Sequence, residues 1–103
     1  LTIGGFLPIQ RVYGYQPYPK GLPENQHKYI LGMQANLWTE YIATPKKVEY
    51  MVFPRIAALS EAAWSDPNKK NYADFKSRLS SELARYQLWD VNYCKKWDNQ
   101  PEK

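Results

Sequence analysis

Apolar residues recur at helical spacing in the second half of the chain. Val48, Met51, Val52, Ile56, Leu59 and Ala63 fall on one side of a 3.6-residue repeat and predict a helix over 45–64. Thr44 stands where an N-cap belongs, and Pro45 occupies the first helical position, where a missing N–H costs nothing. Pro54 interrupts the pattern. Inside a helix it loses a backbone bond, leaves the Tyr50 carbonyl without its usual donor and costs about 3 kcal/mol, so a kink or break is expected near Phe53. Ser65-Asp66-Pro67-Asn68 closes this element. A second stripe, Phe75, Leu79, Leu83 and Tyr86, predicts a helix over 71–88. Asn71 opens it, with Asp74 three residues on, close to a capping box. Lys76, Arg78, Glu82 and Arg85 lie off that stripe, and Glu49 is placed on the surface of the preceding helix.

The pattern differs upstream. Residues 29–38, Tyr-Ile-Leu-Gly-Met-Gln-Ala-Asn-Leu-Trp, are uncharged and largely apolar without strict alternation. This suits a strand over 30–37 buried on both faces, as in a parallel sheet. Residues 1–28 hold Pro8, Pro17, Pro19 and Pro23, half of the prolines, and four of the five glycines. They are expected to be mostly loop. Tyr13, Tyr15 and Tyr18 within it either pack on a surface or line a ligand. The tail, 98–103, is polar and expected to fray.

At 103 residues the chain is one domain at most. Fourteen basic and ten acidic side chains leave a net charge of +4, too little to argue for nucleic acid or an anionic membrane. The paired lysines at 46–47, 69–70 and 95–96 are dispersed and do not interleave with aromatic residues. One cysteine, Cys94, excludes an internal disulfide, and one histidine, His27, excludes His–His metal sites. No apolar run approaches the roughly 20 residues of a membrane-spanning helix. Leu1 in place of an initiator methionine suggests a processed or truncated chain, or a piece of something longer. Aromatic residues reach 16%, a surplus that goes either to core or to flat faces that bind sugars.

One segment carries candidate chemistry: Asn36-Leu37-Trp38-Thr39-Glu40-Tyr41. A buried strand runs into a tryptophan and then a carboxylate, and the C-terminal ends of strands carry the active sites of α/β barrels. An indole there offers a wall to a sugar ring, and a carboxylate accepts hydrogen bonds from two hydroxyls. The plain reading makes Trp38 ordinary core and Glu40 an exposed loop acid, and spacing alone leaves both open. A glycosidase pair of acids needs a second carboxylate about 5–9.5 Å away. Glu49, Glu61, Asp66, Asp74 and Asp90 have no evident route to Glu40. His27 reads as a surface residue rather than a base. Cys94 has no neighbour in sequence to activate it.

The run Leu31-Gly32-Met33-Gln34-Ala35-Asn36-Leu37-Trp38-Thr39-Glu40-Tyr41-Ile42 is followed by Thr44-Pro45, Val48-Glu49-Tyr50-Met51 and Phe53-Pro54-Arg55. Ala58-Leu59-Ser60-Glu61 and Trp64 come next. Together they closely resemble the end of the catalytic domain of family 20 β-N-acetylhexosaminidases. Val12-Tyr13-Gly14-Tyr15 upstream, and Asp74-Phe75, Arg78-Leu79 and Val91-Asn92-Tyr93 downstream, extend the resemblance over about residues 3–94. It implies the α/β class: the C-terminal part of a (β/α)8 barrel, mostly helical as an isolated piece. Residues 30–37 would be its last strand, 45–64 its last helix and 71–88 a terminal packing helix.

The resemblance further implies a hydrolase that removes terminal β-linked N-acetylglucosamine or N-acetylgalactosamine with retention, with no metal or other cofactor. In that family the substrate's acetamido oxygen attacks the anomeric carbon, an exception to the two-carboxylate scheme. An Asp-Glu pair and a Tyr-x-Asp element, both expected upstream, serve the acetamido group and the leaving oxygen. No Asp-Glu dipeptide occurs here, so no catalytic residue is assigned to this chain. What carries over is substrate binding by Trp38, as pocket wall, and Glu40, as acceptor for ring hydroxyls. The implied partners are the terminal sugar and the remainder of the barrel, with no nucleic acid and no membrane span. A bacterial source would imply a periplasmic or secreted enzyme. A rival from another class is a small aromatic-rich carbohydrate-binding module without catalysis. A third, a nucleic-acid binder, requires steeply salt-dependent affinity.

Overall fold

A computed structural model describes residues 7–98. They form four α-helices: α1 (Ile9–Tyr13), α2 (Pro45–Val52), α3 (Arg55–Trp64) and α4 (Tyr72–Leu88). Two short 3-10 turns, Glu24–Tyr29 and Pro67–Lys69, lie between them. The described residues are thus mostly helical, as expected of an isolated piece.

The predicted break falls at Pro54. α2 starts at Pro45, with the Thr44 hydroxyl accepting from the Lys47 N–H at 3.2 Å. It stops at Val52, and α3 begins immediately after Pro54. Arg55 spans the break: its Nη1 donates to the Met51 carbonyl at 2.8 Å, and its Nε donates to the Leu7 carbonyl at 2.9 Å. The guanidinium thereby supplies a donor to the frayed end of α2.

The expected buried stripe is corrected on both sides of the break: Val48, Met51 and Val52 are only half-buried, and no residue of α2 is fully buried. Ala58 and Ala62 are the buried residues of α3, whereas Ile56 is 43% exposed and Ala63 is exposed. The break resets the phase, and an i, i+4 alanine pair turns inward instead.

α4 follows its pattern. Phe75, Leu79 and Tyr86 are buried, and Leu83 packs beside the core. Only half of the expected capping box forms. The Asn71 side chain accepts from the Asp74 N–H at 3.1 Å. The Asn71 N–H donates to the Tyr13 hydroxyl at 2.9 Å, while the Asp74 carboxylate pairs with Arg78.

The strand expected over 30–37 is not formed: no strand occurs among the described residues. The reason is cooperative. A parallel strand exists only through ladder bonds to neighbours, and no other segment described here offers a second strand. The stretch runs as unpaired coil.

Residues 1–28 are also less loop-like than expected. Residues 1–6 lie outside the described set, but Ile9, Val12 and Tyr13 drive a one-turn helix onto α3. Pro8 precedes it and Gly14 ends it. Tertiary burial overrides the loop propensity here. Ile9, Tyr13, Ala58, Phe75 and Leu79 make the core. The Tyr13 and Phe75 rings stack with centroids 4.7 Å apart, an arrangement that adds about 0.5–1.5 kcal/mol to the burial.

Of the tail, only Asp98 is described, and it is anchored rather than frayed. Its carboxylate accepts from the Tyr72 hydroxyl at 2.9 Å and pairs with Lys76. The pairing with Lys76 holds the Asp98 carboxyl below its usual value. Residues 99–103 lie outside the described set.

One buried and one half-buried phenol make stability pH-dependent. Burial pushes Tyr86 up to about 12, helped by the nearby Glu82 charge. Burial also raises Tyr72, with its hydrogen bond to Asp98 adding to the shift. In the unfolded chain a tyrosine ionises near pH ~10. The unfolded state therefore sheds these protons first, and stability is intact below about pH 10 and lost as pH rises toward 12. Melting temperature measured from pH 8 to 12 is expected to fall across that window, and Tyr86→Phe should flatten part of the fall. An equally steep fall in the Tyr86→Phe variant would exclude this phenol as a source.

Candidate functional site

Trp38 and Glu40 lie on the connection between the Glu24–Tyr29 turn and α2. From Ile30 the backbone runs as unpaired coil. It then bends where the Ile42 N–H donates to the Thr39 carbonyl at 3.1 Å, and Thr44 starts α2. The indole of Trp38 is 74% exposed. Glu40 is exposed in the bend, and Tyr41 beside it is exposed as well. Among the described residues no hydrogen bond, ion pair or ring contact engages Trp38 or Glu40. Trp38 is therefore not core. An apolar plate and a carboxylate, separated by Thr39, are both open to a ligand.

The remaining candidates have structural roles. His27 is half-buried and stacks on Tyr18 with ring centroids 3.9 Å apart. Its Nε2 lies 3.2 Å from the Leu22 carbonyl, an acceptor, so the proton sits on Nε2. The ring ties the proline–tyrosine loop together and is not poised as a base. Cys94 is buried. A hydrogen bond with it raises the Tyr50 phenol. Lys70 donates to the Tyr15 carbonyl at 2.9 Å, and burial lowers its ammonium. No group of three His, Cys, Asp or Glu side chains among the described residues is placed to hold a metal ion. No described helix is long and apolar enough to cross a membrane.

Two features escaped sequence reasoning. An open groove runs between α3 and α4, lined by Phe53, Ile56, Trp64, Leu79, Tyr86 and Trp89 among others. Neither Trp38 nor Glu40 lines it. Arg78 lies along it and bridges Glu61 of α3 and Asp74 of α4; both carboxylates raise its guanidinium pKa. The Arg78–Glu61 partners are 17 residues apart, beyond any local pairing rule. Glu49 is the second correction. It is half-buried, and its carboxylate accepts the Asn92 N–H at 3.0 Å. The helix-surface assignment failed because the partner arrives from 43 residues away.

The family described as glycosyl hydrolase family 20, catalytic domain, matches residues 1–67. The chain belongs to that family. A β-hexosaminidase of Porphyromonas gingivalis is 43% identical over 93 residues, covering 90% of this chain and 12% of the relative. A β-N-acetylhexosaminidase of Cellulomonas fimi is 27% identical over 90 residues, covering 87% of this chain and 17% of the relative. The crystal structure of a family 20 exo-β-N-acetylglucosaminidase from Vibrio harveyi, in complex with N-acetylglucosamine, superposes with a TM-score of 0.78 at 35% identity. That match covers 89% of this chain and 15% of the Vibrio chain. The chain thus spans about an eighth of the length of the first of these relatives and corresponds to a piece of a barrel enzyme.

Proposed function

We propose that the parent protein containing this chain is a β-N-acetylhexosaminidase. In this reading it removes terminal β-linked N-acetylglucosamine or N-acetylgalactosamine by substrate-assisted, retaining hydrolysis. The observation that carries the reading is the open Trp38–Glu40 pair in a chain of this family. Trp38 stacks against the apolar face of the terminal sugar, and Glu40 accepts hydrogen bonds from its ring hydroxyls. The acetamido oxygen bonds to the anomeric carbon as the glycosidic bond breaks, and a general acid protonates the leaving oxygen. Water then opens the cyclic intermediate. The general acid and the groups that orient the acetamide come from the remainder of the barrel.

In the full-length parent, Glu40→Gln is expected to lower kcat/KM for 4-nitrophenyl N-acetyl-β-glucosaminide about 10- to 100-fold. Hydrogen bonds to a charged group contribute ~1.5–3 kcal/mol, and each 1.4 kcal/mol is about tenfold. Glu24→Gln, on the exposed 3-10 turn, is the control; Glu49 cannot serve, because it is engaged with Asn92. A kinetically silent Glu40→Gln with unchanged melting temperature would remove Glu40 from the site. A full-length parent that hydrolyses no N-acetyl-β-hexosaminide would remove the activity.

A further inference from the structure

α2 is poorly anchored by apolar packing. None of its residues is buried, and its helical neighbour α3 is separated from it by the break at Pro54. Yet α2 directly continues the bend that carries Trp38 and Glu40. Its position comes from the chain beyond α4. There Asp90 adopts a left-handed conformation (φ 55°), while the Val91 N–H returns to the Tyr86 carbonyl at 2.9 Å and the Asp90 N–H to the Gln87 carbonyl at 3.2 Å. This helix-ending motif reverses the chain and sends residues 91–94 back along α2. Three bonds follow. The Asn92 N–H donates to Glu49 at 3.0 Å, and the Asn92 side-chain amide donates to the Lys46 carbonyl at 2.9 Å. The Cys94 N–H donates to the Phe53 carbonyl at 3.0 Å. Buried Tyr93, whose hydroxyl accepts from Gln87 at 3.0 Å, pins the strap from its other side.

We propose that Asn92 and Glu49 are positioning residues for substrate binding: the strap at 90–94 clamps the first turns of α2 and thereby sets the bend that presents Trp38 and Glu40. The inference rests on the reading of Trp38 and Glu40 as sugar contacts. Lys46 is two residues past the Thr44 cap, and Glu40 is four before it, so a rotation of α2 moves both the cap and the bend. The clamp touches no substrate. Its loss loosens the site without removing any group that takes part in the reaction.

The test uses the full-length parent. Asn92→Ala removes the bond to Lys46. Glu49→Met removes the acceptor at nearly constant length, whereas Glu49→Gln keeps an acceptor oxygen and is the rescue variant. KM for 4-nitrophenyl N-acetyl-β-glucosaminide is expected to rise about two- to tenfold in Asn92→Ala, the effect of one neutral hydrogen bond, and at least as much in Glu49→Met, which removes a charged acceptor. Turnover number stays within about twofold, and Glu49→Gln stays near the parent. Amide hydrogen exchange should quicken over residues 39–48 and remain unchanged over 72–88.

Unchanged exchange over 39–48 in both Asn92→Ala and Glu49→Met would overturn the clamp. So would a fall in turnover and melting temperature with KM unmoved, the mark of a purely structural role. Faster exchange with an unmoved KM would show that the bend is clamped but does not bind sugar, and the positioning role would be withdrawn. Absence of hydrolysis by the unmodified parent would instead refute the proposed activity, with exchange still judging the clamp. If Asn92→Ala does not fold, the Glu49→Gln and Glu49→Met pair decides.

Discussion

The isolated 103-residue chain is expected to release no detectable 4-nitrophenol from 4-nitrophenyl N-acetyl-β-glucosaminide under the assay conditions used for the full-length parent. The reason is chemical. The anomeric bond breaks only if the leaving oxygen acquires a proton as the acetamido oxygen attacks. A positioned acid supplies about 10²–10⁴-fold of rate, and orientation of the acetamide supplies more. The chain contains no Asp-Glu dipeptide, and among the described residues no hydrogen bond or ion pair ties a second carboxylate to Trp38 or Glu40. Glu49 and Glu61 are both committed, to Asn92 and to Arg78. Turnover by the purified chain that survives a check for contaminating enzyme would place the chemistry in residues assigned here to binding or packing.

Phe75→Ala in the same chain is expected to cost about 3–5 kcal/mol, the range for truncating a buried aromatic residue. Phe75 is 4% exposed and stacks on Tyr13, and it belongs to the one cluster that joins α1, α3 and α4. Native domains hold only about 5–15 kcal/mol in total, so this single change takes a large share. At about 4–8 °C per kcal/mol for a domain this size, the melting temperature should fall by more than about 12 °C, or the variant should be unfolded at 25 °C. Trp64→Ala, at a side chain 90% exposed, should shift it by only a few degrees despite removing the larger ring. A small shift for Phe75→Ala would mean that the cluster is not what holds the helices together.

What could be read from the sequence was local. α4 was legible because Phe75, Leu79 and Tyr86 repeat at helical spacing behind an asparagine cap. The two prolines at 45 and 54 marked where α2 begins and where it breaks. Trp38 and Glu40 were legible as a pair at the end of an apolar run, and the structure leaves both exposed. The rest depends on distant partners. α1 exists because Ile9 and Tyr13 find α3 and α4, which no five-residue window discloses. The ladder over 30–37 needs strands that the described residues do not supply. Asn92 and Glu49 meet across 43 residues, and Arg78 and Glu61 across 17. Spacing rules reach three or four residues along a helix and cannot see either contact.

The docking of α1 on α3 has a topological consequence. The chain leaves the core after Tyr13 and rejoins it at Ala58, so residues 14–57 form an excursion between two core contacts. The entropy of closing such an excursion grows only logarithmically, about 0.6 kcal/mol for each doubling of its length. Its proline–tyrosine portion can therefore lengthen or shorten with little thermodynamic penalty, because it carries none of the residues that close it. The five residues of α1 and the alanine face of α3 have less freedom, since an added methylene in a packed contact costs about 1–3 kcal/mol.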